Sequence, residues 1–303
     1  MGSLARTAGA VGAAVLAGAA LAMTQSPAQA AKKQVSVPCS SPALAAAITA
    51  ANASLIQTTL HLAANCTYNI VTPATAADAL PIITGNVRLV GGPSTSIRRD
   101  PAAVGVRLLE VAVAGTLRID GIFLLNGASA TTGGAIANAG ALTLNQVTAS
   151  GNTAVTSGGA VDNAVTGRAL IFRTVINNNT ATAGPGGAVN NAGSLTFQES
   201  RATANNSISA ATGGGGINTT VGATSRVLQS TIDRNTTTGS GGGLRNLGTK
   251  IVDHTLTELN AAAVSGGGIF NLPPGTVTHT NSTTRNNTPN NCFPLGTIPG
   301  CTG

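Results

Sequence analysis

The sequence predicts an all-β fold: a right-handed, single-stranded parallel β-helix of roughly 8–10 coils, with a short N-terminal capping helix. Three observations predict it. The first is a repeat. Six segments open on small residues, then an aliphatic, then usually Asn: 133–138, 158–163, 186–191, 214–219, 241–246 and 266–271. Their aliphatic residues, Ile136, Val161, Val189, Ile217, Leu244 and Ile269, are 25, 28, 28, 27 and 25 positions apart. The second is strand length. Each unit carries short alternations such as Leu142-Thr143-Leu144, Val147-Thr148-Ala149, Leu195-Thr196-Phe197 and Ser230-Thr231-Ile232, and ends near Asn152, Asn179, Asn205, Asn235, Asn260 or Asn287. Strands this short cannot bury a face within one unit, but they can if each unit is one turn stacked about 4.8 Å above the last. The third is composition. Gly supplies 39 of 303 residues, aromatics are 2% and charged residues 8%. Gly and Asn tolerate the positive φ of tight corners, and small aliphatics fill a narrow tube. Too few charged residues remain for a helical bundle or coiled coil, and 42% hydrophobic residues exclude a disordered chain.

The elements follow in chain order. Residues 1–30 read as a secretory signal peptide: Arg6, an apolar run from Ala8 to Met23, and the small-x-small site Ala28-Gln29-Ala30. Cleavage there removes one positive charge and leaves no transmembrane anchor, which implies a secreted or extracellular protein, at a bacterial cell surface or beyond it. Residues 31–54 read as an N-terminal linker and capping helix. Ser41 is the expected N-cap and Pro42 the first helical residue, with Leu44, Ile48 and Ala51 on one face. Such a helix can plug the open end of the tube. Residues 55–290 form the β-helix, and 291–303 a disulfide-closed tail. Four cysteines in an oxidising compartment allow three connectivities. Placing one pair at each end of the chain gives Cys39–Cys66 and Cys292–Cys301. Zinc finds no CxxC and no neighbouring His.

The Gly-Gly-Ala-(Ile/Val)-x-Asn unit with a downstream Asn resembles the GGAI-type repeat of the polymorphic outer-membrane protein family, which belongs with the pectin-lyase-like β-helix proteins. The resemblance spans roughly residues 55–290 and is clearest from 133 onward. Cys39, the stretch Leu44 to Asn52 and the strand Thr58 to Leu62 are similar to the start of secreted bacterial β-helix repeat proteins. The resemblance implies a passenger-type surface protein. It does not extend to the C-terminal barrel by which that family crosses the outer membrane.

Function is less legible. The chain carries +7 net charge, but its basic residues are scattered and no stacking aromatics accompany them, which argues against nucleic acid. No Gly-rich stretch is followed by Lys-Ser/Thr, so no phosphate loop and no cofactor is expected. No metal site is expected, because the nine acids are dispersed. The lyase and polygalacturonase motifs of pectin-lyase-like enzymes are missing. One catalytic constellation remains. With Val227, Val252 and Val277 as equivalent inward positions, Asp233 stacks over Glu258 and His254 over His279. Two carboxylates about 5 Å apart at Cα would push one pKa up, as in acid/base pairs. The candidate catalytic residues are therefore Asp233, Asp253, His254, Glu258 and His279, with Arg234 nearby. Scattered surface charge on a solenoid is the simpler reading. The expectation is thus a non-catalytic adhesion or glycan-binding module, with cell-envelope or extracellular polysaccharide as partner. A polysaccharide lyase or glycoside hydrolase is the alternative.

Overall fold

A computed structural model describes residues 32–303, together with Gly2. The leader expected over residues 1–30 lies outside the described residues. Residues 32–303 wind into a parallel β-solenoid of about ten turns. Each full turn contributes one strand to each of four parallel sheets, of eight, ten, nine and six strands. One repeat shows the path: Ile136–Asn138, then Ala141–Asn145, Thr148–Ser150 and Thr153–Ala154. The six aliphatics that define the repeat stack in direct register as Ile136, Val161, Val189, Ile217, Leu244 and Ile269.

The Gly-Gly pair has two different causes. Gly158 has φ +62°, and a Cβ on Gly159 would meet the Gly187 carbonyl oxygen of the next coil at 2.2 Å. The first position needs a left-handed backbone and the second a close approach between coils.

Two amide ladders run through the interior. Asn152, Asn179, Asn205, Asn235, Asn260 and Asn287 each donate Nδ2 to the Oδ1 of the next, at 2.9–3.0 Å, and Asn287 reaches Asn291 at 3.1 Å. A second ladder runs Asn138–Asn163–Asn191 at 2.7 Å. It breaks at Thr219, which bonds Ser225, and resumes as Asn246–Asn271. These ladders satisfy amides that burial would otherwise leave costly.

Both ends are closed. The helix Ser41–Asn52 buries Leu44, Ile48 and Ala51 over the first coils. Its N-cap is Ser40, one residue earlier than expected: the Ser40 hydroxyl accepts from the Ala43 amide, while Ser41 instead donates to the Asn69 carbonyl. The segment expected as a linker carries the strand Lys33–Val37, which pairs with Thr58–Leu62 as the first rung of the ten-stranded sheet. At the other end, Cys292–Phe293 pairs with Ile269–Asn271. Disulfides join Cys39 to Cys66 and Cys292 to Cys301.

Candidate functional site

The carboxylate pair of the expected constellation does meet. Asp233 and Glu258 are register neighbours on the nine-stranded sheet. Their surroundings differ from the expectation. Asp233 is almost fully buried and clamped by guanidinium groups: Arg201 donates Nε to Oδ1 at 2.8 Å and Nη2 to Oδ2 at 2.6 Å, and Arg234 donates to Oδ2 as well. Burial alone would raise the Asp233 carboxyl. The hydrogen bonds and charge of Arg201, with Arg234, outweigh it and hold the group below the usual carboxylate range. Glu258 pairs with Arg285 on the coil above, Nε to Oε2 at 3.0 Å. Five charged groups thus pair across these coils, three guanidinium groups against two carboxylates, and the acid/base pairing expected of Asp233 over Glu258 is replaced by ion pairs. Arg201 follows from the sequence once coil spacing is known, because it lies two residues before Thr203, the register partner of Asp233.

The histidine stack does not form. Val227 lies on Val252, but Val252 lies on His279, and Val277 lies on Lys250. The cause is turn length. The turn 247–248 has two residues and the turn 272–275 has four, so the offset grows from 25 on the eight-stranded sheet to 27 on the ten-stranded one. His279 therefore points into the tube, where Nε2 meets the Thr284 hydroxyl at 3.1 Å and burial lowers its pKa. His254 lies outside, in a left-handed turn position (φ +46°), with Nδ1 3.1 Å from the Asp253 carboxylate. Asp253 also accepts from Thr280 and Asn281, and these hydrogen bonds, that of His254 first, lower its pKa. A shallow depression of 370 Å³ adjoins His254 and Arg285. It contains none of the carboxylates, so the five candidates do not converge on one cleft.

Two features escaped the sequence. Lys250 is wholly buried inside the tube, donating Nζ to the Ile217 and Arg245 carbonyls at 3.2 and 2.9 Å. Burial, with the charge of Arg245, lowers its pKa to about 7. Its inward position is readable from the alternation Thr249-Lys250-Ile251-Val252, but a lysine there breaks the apolar pattern. The second feature surrounds Arg107, a buried guanidinium 3.0 Å from Asp78 and 3.5 Å from Glu110. Burial, then the Asp78 charge, raises the Glu110 carboxyl. Asp162, two coils above Glu110 with Ala137 between them, is also raised by burial, against hydrogen bonds from Ser157 and Asn190. A cavity of 190 Å³ opens over Ala137 between the two carboxyls.

The ten-stranded sheet offers a different surface. Its strands from Ala141–Asn145 to Thr224–Leu228 contain no acid. Thr143, Arg168, Leu170, Thr196, Thr224 and Arg226 face outward there. Among the described residues, Arg168 and Arg226 make no ion pair and no side-chain hydrogen bond. Shallow depressions of 260 and 580 Å³ meet at Arg168 and Ser194. Among the described residues there is no cluster of three or more His, Cys, Asp or Glu able to hold a metal ion, and no helix long and apolar enough to cross a membrane.

No family model matches the chain, and no curated protein does. The functional reading therefore rests on the geometry above.

Proposed function

We propose that the chain is an exported, non-catalytic β-helix repeat protein that binds polysaccharide at a cell surface or in the extracellular matrix. The observation that carries this reading is the acid-free, hydroxyl-rich face with two unpaired guanidinium groups, Arg168 and Arg226. A flat face of this kind suits many weak polar contacts along a polymer rather than one deep pocket. The locked Asp233–Arg201 pair supports the non-catalytic part. The leader-like N-terminus and two disulfides support export. The GGAI-type repeat supports kinship with pectin-lyase-like surface proteins. Affinity electrophoresis of the purified chain in gels containing cell-envelope or extracellular polysaccharide tests the reading at low salt, where guanidinium contacts are least screened. Retardation that falls on Arg168→Ala with Arg226→Ala is the expected outcome. Unretarded migration in every polysaccharide would overturn it.

A second reading, a polysaccharide lyase or glycoside hydrolase, is favoured by one observation only. Glu110 and Asp162, whose carboxyls burial raises, flank a cavity and stand two coils apart, about 9.6 Å at Cα. Inverting hydrolases hold their two carboxyls ~6.5–9.5 Å apart with room for a water between them, and side chains on alternate coils can span such a gap. Product release from a polysaccharide panel, lost on Glu110→Gln, would replace the first reading with this one.

A further inference from the structure

The turns between the eight- and ten-stranded sheets alternate in length. Turns 112–115, 164–167, 220–223 and 272–275 have four residues, and the turns between them, 139–140, 192–193 and 247–248, have two. Each long turn is closed by a backbone hydrogen bond between its ends: Gly115 to Ala112, Gly167 to Ala164, Ala223 to Thr220 and Gly275 to Leu272. Closed in this way, the long turns stand out as ridges. Their tips are apolar and open to solvent: Val113 is 68% exposed, Val165 79% and Val221 62%. The short turns are recessed, with Gly140 and Gly248 buried. No charged residue occurs in any of the seven turns. One edge of the solenoid is therefore an uncharged rack, with ridges about 9.6 Å apart and gaps one coil wide.

We propose that this rack is an interface through which two copies of the chain pair antiparallel, the ridges of each seated in the gaps of the other. A ridge and a gap are each one coil wide, so the edge is complementary to itself once one copy is reversed and displaced by a coil. In the register that seats three valine tips, Val165 enters the partner's 192–193 gap, Val113 the 247–248 gap and Val221 the 139–140 gap. The contact is isologous and closes on itself. The 192–193 gap lies in a depression of 580 Å³ with Val165 and Val221 on its walls and Arg168 at its margin, ample for one Val side chain. Charge points the same way. The chain is net positive, +7 for the full sequence and one less without residues 1–30, and the seven turns carry none of that charge, so they are where two like-charged molecules approach at least cost. Six of the seven turns overlap in this register, about 29 Å, and a strip about 12 Å wide buries roughly 700 Å² between two copies. That falls short of the ~1,200 Å² of stable pairs and places the dimer in the weak, concentration-dependent class.

Sedimentation equilibrium of the full chain from micromolar to millimolar concentration tests this. A reversible monomer–dimer equilibrium is expected, abolished by Val165→Glu with Val221→Glu, while circular dichroism and Tm stay unchanged because both positions are exposed. Mixing two single-substituted chains, Val165→Cys and Ala192→Cys, should give a covalent heterodimer on oxidation, in higher yield than Val221→Cys with Ala192→Cys. A chain that stays monomeric to millimolar concentration overturns the proposal. So does a dimer that survives the double Glu substitution, a heterodimer yield that favours Val221, or a monomer whose ridge tips are protected only by added polysaccharide.

Discussion

The third to fifth strands of the ten-stranded sheet and its last three share one backbone path and differ in what they enclose. In the early coils the two inward columns read Val87, Leu117, Leu142 and Leu89, Ile119, Leu144, all buried aliphatics. In the late coils the same columns read Ser225, Lys250, Val277 and Val227, Val252, His279. Hydrophobic burial holds the early half, at about 1.5–3 kcal/mol for each fully buried side chain. The late half replaces part of that with hydrogen bonds: Lys250 to two carbonyls, His279 to Thr284, and the long amide ladder through Asn260 to Asn287. The difference teaches that register is enforced by the corners and ladders. The filling of the tube is free to change from aliphatic to polar without altering the coil.

This comparison can be broken at several points. Leu117→Ala should cost the most, about 2–5 kcal/mol, because a rigid stacked column cannot collapse around the cavity; urea unfolding measures it. Asn205→Ala removes the middle rung of the ladder. It leaves the Asn179 Nδ2 and the Asn235 Oδ1 without their ladder partner, so a loss of about 1–3 kcal/mol is expected. If the ladder merely decorates the turn, thermal unfolding of that variant will match wild type. The smallest effect belongs to His279. Its folded pKa lies below its unfolded value, so the unfolded chain binds more protons as pH falls below about 6.5, and stability drops there. His279→Val should flatten this acid-side slope, read from Tm between pH 7 and 5.

Much of the fold was legible because coil stacking turns sequence period into spatial register. The aliphatic at the Gly-Gly corner and the ladder Asn follow from it, while the cysteine pairing followed from placing one pair at each end of the chain. The site was less legible, for one physical reason. Turns of two and four residues alternate, so a single offset cannot hold across all four sheets. Asp233 over Glu258 survives because the turn between their coils, 247–248, is short. His254 over His279 fails because the turn 272–275 adds two residues. Arg201 and Arg107 were missed because their partners, Asp233 and Asp78, are about 30 residues away and adjacent only after winding.

Winding and register place a lysine inside the tube. Side-chain pairing has period two, so a slip of one residue would turn Lys250 out into solvent. The chain has only Lys32, Lys33 and Lys250, so its ammonium resonances are few. A pH titration of the three Nζ signals by NMR in the folded protein is the direct test. The account predicts one lysine titrating near pH 7, lost in Lys250→Met. Because that pKa is depressed, the unfolded chain holds the extra proton between pH 7 and about 10. Stability should therefore rise by about 3 kcal/mol from pH 7 to 9.5 in wild type and not in the variant. No lysine signal titrating near pH 7, with stability flat from pH 7 to 9.5, would contradict it.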